Sequence, residues 1–160
     1  MVKRISHETA NCPIARSLDA IGDWWSLLII RDALGGITRF SGFQKNIGIA
    51  KNILTVRLRS LVAHGILDVV PASDGSAYSE YVLTEKGRDL FPVLVAIGEW
   101  GREYFFDADE AFPILVDRAA GKPVCDLELR AQDGRLLGPD DVAIRLPTPK
   151  TKPTRKLVRA

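Results

Sequence analysis

No aspartate or glutamate occurs between Ala33 and Leu67, in a chain of 160 residues of which 26% are charged. A surface helix ordinarily relieves its lysines and arginines with a carboxylate one turn away, so an acid-free basic stretch raises the question of what else supplies the anions. Cysteine is scarce too: Cys12 and Cys125 are the whole complement, which excludes a disulfide framework and fits a reducing, cytoplasmic setting. The longest apolar run, WWSLLII at 24–30, is closed by Asp23 and Arg31. It falls well short of the roughly 18 residues of a membrane span, so a buried helix and no membrane partner are expected. The opening MVKRISHETANCPIA has no apolar core or cleavage pattern, and no secretion signal is expected. His7 and His64 are the only histidines, and no Ser/His/acid set, phosphate loop or HExxH pattern occurs. These absences argue against an enzyme, a bound metal or a cofactor. The pair Asp140 and Asp141 follows Gly-Pro and reads as turn chemistry.

What the chain does have is charge sorted along its length. Residues 1–64 carry 9 Lys/Arg against 4 Asp/Glu, residues 65–112 carry 3 against 10, and residues 113–160 carry 10 against 6. A basic front half brings nucleic acid forward as a partner. With 46% hydrophobic residues, the length suits one main domain with a small appendage.

The elements follow from periodicity and punctuation. Pro13 at a first helical position, with Cys12 as N-cap, predicts a helix with Ile14, Leu18 and Ile21 on its apolar stripe, ended by Gly22 and Asp23. A near-continuously apolar helix runs from about Trp24 to Leu34 and stops at Gly35-Gly36. Thr38 is expected to cap a short helix over 39–47, ended by Gly48, and a further helix occupies about 50–64 before Gly65. Two helices joined by a short glycine-containing turn form a helix-turn-helix arrangement. ILDVV (66–70) and YSEYVL (78–83) around PASDGSA predict a β-hairpin.

Thr84 is then expected to cap one long helix over about 85–106, with Leu90, Val93, Leu94, Ile97, Trp100, Gly101 and Tyr104 on one face. Phe91, Val95, Phe105 and Phe106 widen its apolar surface beyond what one core needs, which predicts a partner helix. Core packing is the favoured expectation for Trp24, Trp25 and Trp100, with a small-molecule effector pocket between the helices and a dimer partner as the alternative. Segments 113–116, 124–131, 135–138 and 142–146 are short strand candidates split by turn signals, above all Asp133-Gly134, and predict a small β-meander. Cys125 is expected there as a core or half-buried thiol. The end of the chain carries five basic residues after position 149 and no acid, and reads as a flexible tail. The expected fold class is thus α+β, mainly α. A main domain spans 1–106, a β-rich extension 107–147 and a basic tail 148–160.

On the helix over 50–64, Leu54, Leu58, Leu61 and Val62 share the face that must be buried. The opposite side holds Lys51, Asn52, Thr55, Val56 and Arg59, with Arg57 at the flank. Lys and Arg can meet phosphates while Arg, Asn and a Thr methyl read base edges in the major groove. A helix that is basic by chance explains this face about equally well. The hairpin directly after it tips the reading toward double-stranded DNA.

The pieces CPIARSLDAIGDWWSLLIIRDALGGITRFSGF, ILTVRLRSLVAHGIL and YVLTEKGRDLFPVLVAIGEWG, over about residues 8–106, resemble the HxlR family of winged helix-turn-helix regulators, relatives of the MarR type. The resemblance implies a cytoplasmic, homodimeric transcription factor whose helix over 50–64 enters the major groove, with the hairpin as wing. It also implies that the first and last helices form the dimer, with Ile14, Leu18, Phe91, Leu94, Ile97, Trp100 and Tyr104 as interface candidates. Three positions depart from the family pattern. Ala50 stands where Ser or Thr usually caps the recognition helix, Gly42 stands where an acid is usual, and residues 66–85 hold Asp74 but no arginine and no lysine before position 86. A poor wing contact is therefore expected, with Arg39, Lys45 and the recognition helix carrying the binding.

Cys12, at a helix N-terminus one turn before Arg16, is the candidate switch, since both features favour thiolate. The resemblance implies a response to oxidants or electrophiles there; a small structural cap is the equally weighted alternative. A rival from another class is a dimeric ligand-binding or protein-interaction module, worked by residues 107–160, that has lost specific DNA reading.

Overall fold

The computed structural model describes residues 6–146. The chain divides into two compact units, one up to Val124 and one from Cys125. In the first, α1 (Pro13–Ile21), α2 (Trp24–Leu34), α3 (Phe40–Ile47) and α4 (Lys51–Ala63) precede an antiparallel hairpin of β1 (Leu67–Pro71) and β2 (Ser79–Leu83). α5 (Glu85–Arg88) and α6 (Phe91–Phe105) follow. This is a winged helix-turn-helix, mainly α with a two-stranded wing.

The core forms where the apolar stripes of α2, α3 and α4 meet the foot of the hairpin. Ile29, Ile30, Phe43, Leu54, Leu58, Leu61 and Leu67 are all 0% exposed. Burial of such side chains stabilises by about 1.5–3 kcal/mol each, so these few positions dominate the domain. Polar groups then fix the helices. The Asp23 carboxylate caps α2, accepting from the Ser26 backbone N–H at 3.0 Å and its hydroxyl at 2.6 Å. Asp32, only 5% exposed, accepts from Arg31 on α2 and from Asn46 Nδ2 at 2.9 Å, tying α3 to α2. Gly48 ends α3 at φ 71°, a left-handed turn that delivers the chain into α4.

The helix expected over 85–106 is two helices. Thr84 caps α5 as anticipated, accepting from Gly87 N–H at 3.0 Å while donating to Gly65 O at 2.7 Å. The chain breaks at Asp89 and Leu90 because Pro92 has no N–H to give and its ring collides with the carbonyl one turn back. Gly87 is irreplaceable on steric grounds: a Cβ there would lie 2.2 Å from the Ile66 carbonyl oxygen. The short-helix cap is likewise corrected. Arg39, not Thr38, is the N-cap of α3, because the Thr38 carbonyl is already taken by the Tyr81 N–H at 2.8 Å.

The tryptophans are less buried than expected. Trp25 is half-buried, but Trp24 is 71% and Trp100 57% exposed. After α6, the meander appears only as two antiparallel bridges, Val116 with Pro123 in the first unit and Arg130 with Leu136 in the second, plus a 3-10 turn at Pro139–Asp141. The Asp133-Gly134 turn forms, with Gly134 at φ 88° and Ala131 N–H bonded to Arg135 O at 2.8 Å. A longer ladder does not form, since the alternating apolar side chains find no layer to pack on: Leu127, Leu129 and Ile144 are exposed. Cys125 is exposed rather than half-buried for the same reason. The tail over 148–160 lies outside the described residues.

Candidate nucleic-acid interface

α4 sinks Leu54, Leu58 and Leu61 into the core, with Val62 half-buried, and thereby turns Lys51, Asn52, Val56 and Arg59 outward. No side chain caps its N-terminus, where Ala50 stands. The Thr55 hydroxyl donates back to the Lys51 carbonyl at 2.8 Å, which occupies the hydroxyl. Val56, on the same outer face, is 59% exposed. Lys45 is exposed on the last turn of α3. Among the described residues, none of Lys45, Lys51 and Arg59 is paired with a carboxylate. Within the acid-free stretch of sequence, these three cations are open to an external anion.

Arg57 and Arg39 are placed differently. Arg57 Nε lies 3.2 Å from Asp23 Oδ1, so the carboxylate that caps α2 also draws this guanidinium toward the protein. Arg39 reaches across to the hairpin, where Nη2 meets Asp74 Oδ2 at 2.8 Å and Nε meets Glu80 Oε1 at 3.2 Å. The hydrogen bond to Asp74 holds the arginine's proton more firmly than usual. Asp74 in turn is lowered to about 2, first by Ser76, whose backbone N–H donates to its Oδ1 at 3.0 Å, and then by Arg39. These pairs join residues far apart in sequence, and nothing local announced them. Gly42, where the family pattern has an acid, sits against Ile37: a Cβ would fall 2.9 Å from Ile37 Cγ2.

Cys12 is exposed at the start of α1, with no side-chain cap bond. Arg16 does not turn to it; its Nε donates to the Ala10 carbonyl at 2.6 Å. Of the interface candidates, Ile14, Leu18, Phe91, Ile97, Trp100 and Tyr104 are exposed, whereas Leu94 is half-buried against the core. No group of three or more metal-ligating side chains gathers among the described residues, and no helix there is long and apolar enough to cross a membrane.

Comparison with known proteins agrees with this geometry. A family model described as HxlR-like helix-turn-helix matches residues 20–109, which leaves Cys12 outside the matched range. The uncharacterized HTH-type transcriptional regulator Rv3095 of Mycobacterium tuberculosis is 43% identical over 103 residues, covering 64% of this chain and 65% of its own length. The chain thus spans slightly under two thirds of that curated relative. The crystal structure of PA1607, a candidate transcription factor, is 55% identical and superimposes with a TM-score of 0.84 over 88% of this chain and 99% of its own. The redox regulator HypR in its oxidized form is 33% identical, with a TM-score of 0.54 over 60% of this chain and 100% of its own. The likeness to PA1607 therefore reaches further along the chain than the likeness to HypR. With more than half of its length matched by the family model, on a winged helix-turn-helix whose α4 is bare of acids, the chain belongs to the HxlR-like helix-turn-helix family.

Proposed function

We propose that the protein is a cytoplasmic DNA-binding transcriptional regulator, acting as a homodimer on a near-palindromic operator. The observation that carries this reading is the outer face of α4, where exposed Lys51, Asn52, Val56 and Arg59 stand with Thr55 beside a two-stranded wing, and among the described residues no carboxylate pairs with Lys51 or Arg59. Arg59 and Asn52 are the base readers, Lys45 and Lys51 the phosphate contacts. Arg57 and Arg39 flank this face, each held by protein carboxylates. The dimer is supported by α6, which buries no residue in the single chain, and by exposed Ile14 and Leu18 on α1. Two α4 helices would then address half-sites about 34 Å apart. Cys12 is the candidate effector site, supported by its exposure on the helix that bears Ile14 and by the likeness to HypR, a redox regulator. A modification at that helix would act on the dimer contact.

Fluorescence anisotropy of the reduced protein on its own upstream DNA and on a scrambled duplex tests the reading. Selective, salt-sensitive binding is the expected result. Equal, weak binding to both duplexes would instead support the interaction module that has lost DNA reading. Repeating the measurement after a mild thiol oxidant, with Cys12→Ser as control, tests the switch; a wild-type response that the substitution leaves intact would remove Cys12 from the mechanism.

A further inference from the structure

The wing has the wrong charge for DNA. Between Ile66 and Leu83 it holds Asp68, Asp74 and Glu80 and no lysine or arginine. The wing is nevertheless tied to the helix-turn-helix in two ways: Arg39 spans Asp74 at 2.8 Å and Glu80 at 3.2 Å, and the Tyr81 N–H donates to the Thr38 carbonyl at 2.8 Å. Within the wing, the Ser73 hydroxyl donates to the same Glu80 oxygen at 3.1 Å. Glu80 is only 8% exposed. Moving Arg39 onto a phosphate would leave that carboxylate buried without its cation, which is strongly unfavourable. The arginine fork has one further neighbour: its Cζ lies 5.9 Å from the ring centroid of Tyr78, within cation–π range. Tyr78 is the residue just before β2 and is 71% exposed, an uncharged aromatic on a hairpin whose charged side chains are all acidic.

We propose that Arg39 serves DNA binding as a positioning residue that sets the wing and cancels the charge of its acidic tip, and that Tyr78 is the side chain the wing presents to the minor groove. This rests on the DNA-binding reading above. An uncharged aromatic is the group on this hairpin that can enter a groove of strongly negative potential without repulsion, and inserted apolar side chains are an established means of minor-groove contact.

The test is a salt series of anisotropy titrations with the full chain on an operator duplex. If the wild type shows no sequence-selective binding, both readings fall together. Given selective binding, Tyr78→Ala should weaken it about 10-fold, as loss of a groove contact would. The slope of log affinity against log salt should stay as it was, because no charge is lost. Asp74→Ala, at an exposed tip position, should also weaken binding without steepening that slope. Arg39→Ala should weaken binding without lowering the slope. Unchanged affinity in Tyr78→Ala would overturn the assignment of Tyr78 alone. Tighter binding with a slope steeper by about one in Asp74→Ala would overturn the role given to Arg39, since it would mean that the freed guanidinium reaches a phosphate. A slope lowered by about one in Arg39→Ala would overturn it equally.

Discussion

α4 and α6 are both helices dense in apolar residues, yet one buries a full leucine stripe within the chain and the other buries no residue. Leu54, Leu58 and Leu61 of α4 are 0% exposed, while no residue of α6 is buried and Trp100 and Tyr104 are 57% and 68% exposed. Spacing explains the difference. The leucines of α4 recur on one stripe that meets α2 and the foot of the hairpin, whereas α6 carries apolar groups around much of its circumference and offers only part of it, near Leu94, to the core. The first helix is set by the fold of one chain. The second leaves most of its apolar surface uncovered in the single chain, as the proposed homodimer requires.

Substitutions should separate the two helices. The largest effect is expected for Leu58→Ala, which opens a cavity under α4 and should cost about 2–5 kcal/mol in urea unfolding. Next, Trp100→Glu should weaken self-association by about 2–4 kcal/mol in sedimentation equilibrium, as loss of an aromatic anchor would, and leave far-UV circular dichroism unchanged. A wild-type-like mass distribution would show that α6 is not the dimer surface. Arg59→Ala, on the outer face of α4, should cost about 1–3 kcal/mol in operator binding with no loss of fold stability, if it reads a base. Ala50→Ser should restore the missing cap of α4 and raise the unfolding free energy by about 1 kcal/mol, the one substitution here expected to stabilise.

The smallest effect concerns pH and the wing. Asp74 is lowered from its ordinary value of 3.8 to about 2. Its ionised form is favoured by folding, so its contribution is fully present above the ordinary value and fades as the pH falls toward 2. Urea melts of wild type and Asp74→Asn should therefore differ above about pH 4 and converge toward pH 2. A constant gap across that range would mean that Asp74 acts through its shape and not its charge.

The bounds of α1 and α2 could be read from the chain because Pro13, Asp23 and Gly35 punctuate it, each with one plausible backbone role. The break before α6 was signalled by Pro92, but the apolar spacing runs on through Asp89 and Leu90 and masked it. The basic face of α4 was visible as a local pattern. The partners of Arg57 and Arg39 were not, because an ion pair across the fold leaves no trace in spacing. The bridged segment after α6 misled for a related reason: alternation predicts a strand only where a second layer exists to receive it.

The bond from the Tyr81 N–H to the Thr38 carbonyl has a bearing on descent. It joins main-chain atoms, so no exchange of side chain at either position removes it, short of proline at 81. Tip residues such as Asp74 and Tyr78 can therefore drift, with Arg39 still paired to Glu80, while the wing keeps this main-chain tie to the segment before α3. A lineage could change how its wing touches DNA many times over without ever having to reinvent the wing.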